Sequence, residues 1–172
     1  MYRYELVERQ ILTGTVMAVH DGDSYKVKFK DETVWIRLYG CDTPEVISNY
    51  VTKDQPFGRL AGNKMRELLK GNEVKVEVLF KDQYGRWICK IWFNDIDLTE
   101  YVVKNGFGWH LREPKMKTSY FEGLKIFQEQ SKVQRLGLWG ETGRKVRPST
   151  WREQNRRFTL NENITKEFPE LW

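Results

Sequence analysis

Acidic side chains gather in two short stretches of the chain, DGDS at residues 21–24 and CDTPE at residues 41–45. If the loops that carry them meet, three or four carboxylates would converge, which shifts their pKa values or favours a bound cation. Carboxylate oxygens suit Ca²⁺ or Mg²⁺, and irregular loop ligands suit the flexible shell of Ca²⁺ better. The acids concerned are Asp21, Asp23, Asp42 and Glu45. Taken singly, both stretches also read as turns, and Gly22 suits the positive φ of a hairpin turn.

Two arginines could complete such a site. Arg37 lies within a strand pattern, and Arg86 follows the turn DQYG. Guanidinium groups make bidentate contacts with phosphate, and fixed donors stabilise the charge that a phosphodiester gains under attack. Glu45 could then orient or deprotonate the attacking water. The set predicts hydrolysis of a phosphodiester, although Arg37 alone could equally be a snorkelling surface residue.

The elements that must position these residues are short strands. Alternation of apolar and polar residues predicts five of them, at residues 11–19, 24–29, 33–40, 73–80 and 86–93. With a helix between the third and fourth strands, this is the layout of an OB-fold. The predicted fold class is therefore α+β and mainly β, a five-stranded Greek-key barrel with three α-helices.

The predicted helices have recognisable start and stop signals. The first runs from Pro56 to Leu69, because proline suits the first turn of a helix and Gly71 is a natural stop. Two capping boxes predict the others: Asp97 with Glu100 for a short helix ending at Gly106, and Ser119 with Glu122 for a longer one ending at Gly137.

Composition excludes several classes of protein. The 172 residues are 40% hydrophobic and 31% charged, so we expect one folded domain with a real core. The net charge of +5 mildly favours polyanionic partners. No apolar run is long enough to span a bilayer, and MYRYELVERQ does not resemble a signal peptide. We therefore expect no membrane association, and either a cytoplasmic protein or one secreted after a leader has been removed.

The character of the chain changes after Gly140. We predict a barrel domain over residues 1–140 and a basic, turn-rich extension over residues 141–172, packed on the barrel or partly loose. The cations of the extension either contact a phosphate backbone or form a solvated basic surface.

Five stretches resemble the staphylococcal nuclease family in order and spacing: GTVMAVHDGDSYKV, IRLYGCDTPE, PFGRLAGNKMRELLKG, KDQYGRW and LGLW. The resemblance covers roughly residues 11–140, and IRLxGxDTPE preceded by DGD is a specific signature. The chain departs from the signature at Ser24, where threonine is usual. The stretch GWHLREP also departs from the best-known member of the family, which leaves base preference and the choice between end and internal cleavage open.

The resemblance implies calcium-dependent hydrolysis of DNA and RNA, preferably single-stranded or unpaired, by a monomer. Water attacks phosphorus, the 5′-oxygen leaves and 3′-phosphate ends remain. By position, the resemblance makes Asp23 and Asp42 carboxylate ligands of Ca²⁺, and Thr43 would add its backbone carbonyl. Glu45 would be the water-orienting residue or general base. Arg37 and Arg86 would bind the phosphate, and Tyr84 would help to hold the nucleotide.

A binding module is the alternative from another functional class. Nuclease-like barrels in some Tudor-linked proteins bind RNA or proteins after losing residues of the site. Such loss usually removes an arginine or an acid, whereas this chain keeps all five charged side chains of the predicted site: Asp23, Arg37, Asp42, Glu45 and Arg86. The enzyme is therefore the leading hypothesis.

Overall fold

The computed structural model describes residues 6–157. The strands are β1 (Ile11–Val19), β2 (Ser24–Phe29), β3 (Glu32–Leu38), β4 (Cys41–Asp42), β5 (Glu73–Lys81), β6 (Trp87–Phe93), β7 (Ile96–Asp97) and β8 (Trp109–His110). The helices are α1 (Gly58–Leu69), α2 (Leu98–Lys104), α3 (Thr118–Val133) and α4 (Pro148–Gln154), with a 3₁₀ helix at Gly137–Trp139.

The five long strands form a closed barrel. The sheet runs in the order β3-β2-β1-β5-β6-β7, and an additional parallel pairing of β3 with β6 closes it. The remaining long-strand pairs are antiparallel. This arrangement confirms the predicted α+β, OB-type five-stranded barrel. The short strands β4 and β8 pair with each other, so that Asp42 lies opposite Trp109 beside the barrel.

Alternation of side chains explains why these segments form a barrel. Along β2 the residues Tyr25, Val27 and Phe29 are buried, while Lys28 between them is exposed. The same pattern in β5 buries every second residue on the inner face. One continuous hydrophobic cluster results, and it reaches α1, α2 and α3 through Met65, Val102 and Leu124. Burial of this apolar surface is the main term that stabilises the barrel.

The helix boundaries follow the predictions in part. Helix α1 begins at Gly58 and not at Pro56, because Phe57 has the left-handed φ of 73° as the N-cap residue. It ends at Leu69 as predicted, and Gly71 has a φ of 82°. Helix α2 is capped by Asp97, whose carboxylate accepts hydrogen bonds from two backbone N–H groups.

Two predictions about the C-terminal helices are wrong. The N-cap of α3 is Lys117, which makes no side-chain cap, and Ser119 lies inside the first turn where it cannot cap the helix. Helix α3 ends at Val133, so that Gly137 instead begins the 3₁₀ helix. A fourth helix, α4, starts with Pro148 in its first turn, inside the predicted extension.

Residues 158–172 of the predicted extension lie outside the described residues. None of the helices within residues 6–157 combines the length and the apolar character needed to cross a membrane.

Candidate active site

The loop between β1 and β2 is built around Gly22. A Cβ atom at this position would lie 2.7 Å from Cγ2 of Thr43, so only glycine lets the two loops approach this closely. The φ of Gly22 is not positive, which makes the expectation from the turn wrong. Close packing explains the glycine instead, and it brings Asp23 against the segment that carries Asp42.

Asp23, Arg37 and Asp42 form the buried centre of the site. Arg37 lies opposite Ser24 in the β2–β3 pairing, and its Nη2 donates to Oδ1 of Asp42 at 3.1 Å. The same nitrogen lies 3.8 Å from Oδ2 of Asp23 and donates to the Cys41 carbonyl at 3.0 Å. Arg37, Asp23 and Asp42 expose 7%, 5% and 6% of their surface, so Arg37 is a buried site residue and not a snorkelling one.

Thr43 links the two loops and carries an unsatisfied oxygen. Its backbone N–H donates to Oδ2 of Asp23 at 2.9 Å, while its buried hydroxyl oxygen has no hydrogen-bond partner. A buried polar atom without a partner is costly, and a bound cation or water beside it would satisfy it. Two carboxylates and the oxygens of Thr43 are the donor types of a hard cation that keeps several waters.

The wider group of acids does not itself form a metal cage. Among residues 6–157, no group of three or more His, Cys, Asp or Glu side chains is arranged to hold a metal ion. The donor set that fits a cation is therefore the smaller one, Asp23 and Asp42 with Thr43.

Glu45 lies beside Asp42, and an arginine from the C-terminal extension bridges them. Arg152 of α4 donates from Nη1 to Oδ1 of Asp42 at 3.1 Å and from Nη2 to Oδ2 at 3.2 Å. Its Nη1 also donates to Oε1 of Glu45. The Glu45 side chain is 14% exposed, and that of Arg152 is 41% exposed. The Arg152 guanidinium therefore lies at the solvent side of the acid cluster.

Burial and neighbouring charges separate the pKa values of the acids. Burial raises the pKa of Asp21, and the charges of Asp23 and Glu45 raise it further. Burial also acts to raise the pKa of Asp23, but the Arg37 guanidinium and the Thr43 N–H outweigh it and hold that pKa below its usual value. Burial raises the pKa of Glu45 to about 7, although Arg152 opposes the shift. Such differences among neighbouring acids are typical of functional sites.

The hairpin between β5 and β6 carries the other two predicted site residues. Tyr84 is 67% exposed, and the Arg86 guanidinium lies 5.6 Å from the centre of its ring. Arg86 forms an ion pair with Asp82 at 2.8 Å. Hydrogen bonds and the Arg37–Asp23 ion pair within residues 6–157 unite Asp23, Arg37, Asp42, Thr43 and Glu45 with Arg152. No hydrogen bond described for these residues joins Arg86 or Tyr84 to this group.

Two residues of the site were missed by sequence reasoning. Glu113 accepts a hydrogen bond from Nη1 of Arg37 at 3.0 Å, and it lies in the stretch GWHLREP, which departs from the family pattern. Arg152 was counted among the basic residues of the extension, with no local signal that set it apart. Both contacts join residues far apart in sequence, so only the tertiary structure reveals them.

Comparison with known proteins gives these features a context. The sequence model of the family described as staphylococcal nuclease homologue matches residues 35–141. This match covers more than half of the chain. The chain belongs to the staphylococcal nuclease homologue family. Membership places it among nuclease-like proteins.

Individual relatives agree with the family match. A probable staphylococcal-like nuclease of Oryza sativa subsp. japonica is 30% identical over 121 residues, covering 70% of this chain and 29% of the relative. An uncharacterized endonuclease of Escherichia coli is 29% identical over 142 residues, covering 82% of this chain and 85% of the relative. A probable endonuclease of Yarrowia lipolytica is 31% identical over 129 residues, covering 71% of this chain and 56% of the relative. The chain thus spans less than a third of the rice protein.

Proposed function

We propose that this protein is a calcium-dependent phosphodiesterase that hydrolyses DNA and RNA. The observation that supports it most directly is the cluster of Asp23, Arg37, Asp42 and Glu45 at one end of the barrel, which hydrogen bonds and ion pairs hold together. A cation site, a buried guanidinium and a carboxylate with a raised pKa are the parts that water attack on a phosphodiester requires. The names of the relatives, nuclease and endonuclease, agree with this reaction class.

Asp23 and Asp42 would hold the cation through their carboxylates, with the Thr43 carbonyl as a third ligand. When bound, Ca²⁺ neutralises phosphate charge and orients the substrate. Glu45 orients the attacking water and accepts its proton, for which a pKa near 7 is well matched. Arg37 stabilises the charge that develops on the equatorial oxygens of phosphorus.

Arg86 and Tyr84 would complete the substrate site from the hairpin. Arg86 binds the phosphate after exchanging its ion pair with Asp82, and Tyr84 stacks on a nucleotide. An exposed ring needs an unstacked base, which supports a preference for single-stranded or unpaired nucleic acid. The proposed enzyme is a monomer. The 5′-oxygen leaves, and 3′-phosphate ends remain.

The test is cleavage of single-stranded DNA with Ca²⁺, with Mg²⁺ and with a chelator, using wild type, Glu45→Gln and Glu67→Gln. Glu67 is an exposed acid of α1 and serves as the matched control. We expect Ca²⁺-dependent cleavage in wild type and in the control, and a loss of about 100-fold or more in Glu45→Gln.

The ends of the products test the direction of cleavage. Fragments with 3′-phosphate ends prime a polymerase only after phosphatase treatment, whereas fragments with 3′-hydroxyl ends prime it directly. Priming without phosphatase would contradict the proposed leaving group. Binding of DNA without cleavage under any metal condition would contradict the enzyme and favour the binding module.

A further inference from the structure

The C-terminal strap, defined as residues 146–157 including α4, is fastened to the loop that follows the site. The backbone N–H of Thr52 donates to the Asn155 carbonyl at 2.9 Å, and that of Arg157 donates to the Tyr50 carbonyl at 2.8 Å. The indole N–H of Trp151 donates to the Lys53 carbonyl at 3.2 Å. These bonds hold the strap across the loop of residues 45–55.

Gln55 connects the strap to the backbone of Glu45. Its side-chain nitrogen donates to the Val146 carbonyl at 2.6 Å, and its side-chain oxygen accepts from the Glu45 N–H at 3.1 Å. The backbone N–H of Gln55 donates to the Glu45 carbonyl at 2.8 Å. Gln55 is itself 4% exposed, so this connection is shielded from water. The strap thereby constrains the main chain on which Glu45 is carried.

The strap also supplies a side chain to the site. Arg152 binds both oxygens of Asp42 and one oxygen of Glu45 with the two ends of its guanidinium. A planar bidentate contact fixes the orientation of a carboxylate more tightly than a point charge does. Since like charges repel, a shared guanidinium also sets the spacing between the two acids.

Arg152 leaves room for the proposed cation. A carboxylate has about four lone-pair sites. Asp42 receives hydrogen bonds from one nitrogen of Arg37 and from two of Arg152, so its Oδ2 still has an open position. Asp23 is similar, with Ser24 and Thr43 each donating to a different oxygen. Arg152 therefore acts on the acids as an outer partner that orients ligands while leaving them open to a metal.

We propose that Arg152 is a positioning residue of the active site, which the C-terminal strap delivers to hold Asp42 and Glu45 in one geometry. The proposal rests on the proposed function, because Asp42 and Glu45 are its metal ligand and water-orienting residue. It assigns a task to the extension that neither a phosphate-binding surface nor a solvated basic surface describes.

The kinetic test uses full-length Arg152→Ala and Arg152→Lys, with Arg156→Ala as the matched control from the same strap. Arg156 is exposed. Within residues 6–157, its contact with Val51 is a backbone β-bridge. We expect kcat to fall about 30-fold in Arg152→Ala, with KM for single-stranded DNA nearly unchanged, and to recover in part in Arg152→Lys. Millimolar guanidinium should restore part of the lost kcat in Arg152→Ala and leave the control unaffected.

Wild type and Glu45→Gln in the same assay separate the two proposals. If wild type does not cleave, or if Glu45→Gln cleaves equally well, the proposed function fails. If wild type cleaves, Glu45→Gln is inactive and Arg152→Ala retains the wild-type kcat, the positioning role alone is overturned. A rise in kcat would overturn it too, because the strap would then inhibit the site. A fall in kcat that Arg156→Ala shares, or that guanidinium does not restore, would show that the strap has only undocked. That result would also overturn the positioning role of Arg152.

A readout without metal or substrate tests the contact itself. Urea unfolding of metal-free wild type, Arg152→Ala, Glu45→Ala and the double variant forms a double-mutant cycle. We expect the two single effects to be non-additive, because each variant removes one partner of the hydrogen bond between Arg152 and Glu45. Additive effects would show that Arg152 does not hold Glu45 and would overturn the proposal.

Discussion

The two halves of the candidate site differ in how they are built. Asp23, Arg37 and Asp42 are buried at the end of the barrel, where Arg37 donates a hydrogen bond to Asp42 and forms an ion pair with Asp23. Tyr84 and Arg86 stand on an exposed hairpin, where Arg86 pairs with Asp82 and its side chain is 48% exposed. The buried half is preorganised, whereas in the proposed function Arg86 would exchange its ion pair with Asp82 for the substrate phosphate.

This difference has energetic consequences. A buried guanidinium among acids cannot be removed without leaving carboxylates uncompensated, so its loss affects both folding and catalysis. An exposed ion pair contributes little to stability, so its loss should affect catalysis alone. Arg37 and Arg86 have similar proposed roles toward phosphate, and they therefore provide a controlled comparison of the two halves.

The largest effect is expected for Arg37→Gln. Three acids, Asp23, Asp42 and Glu113, lose their shared partner. We expect a loss of about 3 kcal/mol in the free energy of unfolding and of 100-fold or more in kcat. Urea denaturation and single-turnover kinetics measure the two. Unchanged stability would contradict the idea that the buried half depends on Arg37.

Arg86→Ala should reduce kcat about 100-fold as well, because it removes a proposed phosphate donor. The free energy of unfolding should change by less than about 0.5 kcal/mol, since the Arg86 side chain of this ion pair is 48% exposed. The same two measurements apply. A stability loss as large as that of Arg37→Gln would remove the distinction between the halves.

Glu45→Gln should stabilise the metal-free protein at alkaline pH. Burial raises the pKa of folded Glu45 to about 7, so the unfolded state binds fewer protons than the folded one between roughly pH 4.5 and 7. The contribution of Glu45 is then most favourable at low pH and is lost as the pH rises through 7. At pH 8 the variant should gain about 3 kcal/mol over wild type, and at pH 4 almost nothing. Urea denaturation at the two pH values decides, and equal effects at both would contradict the raised pKa.

Tyr84→Ala should have the smallest effect, a rise in KM of about 10-fold, corresponding to the loss of one stacked base. Stability should not change, because the ring is exposed. Tyr84→Phe keeps the stacking face and should behave as wild type. Steady-state kinetics on single-stranded DNA measures both variants, and equal losses in the two would assign the effect to the hydroxyl group.

Local patterns were enough for much of this molecule. Alternation in β2 and β5 located two strands, because a half-buried strand must place every second side chain inside. The cap of α2 by the Asp97 carboxylate was also predictable, because an N-cap contacts only backbone N–H groups in the first turn of its own helix. The residue types of the proposed catalytic set were also readable, since the signature places them in two short loops, one strand and one hairpin.

Tertiary structure decided what depends on contacts between distant segments. Gly22 is required by the approach of Thr43 and not by its own φ, and Glu113 reaches Arg37 across 76 positions in the sequence. Arg152 meets Asp42 across 110 positions. Composition shows seven lysines and arginines in residues 141–172 without showing which one faces the loop of residues 45–55. The amino-acid sequence by itself predicted the barrel strands and the residue types of the candidate site, because both follow from short-range pattern. Only packing of the strap on the loop decided which arginine joins the acids.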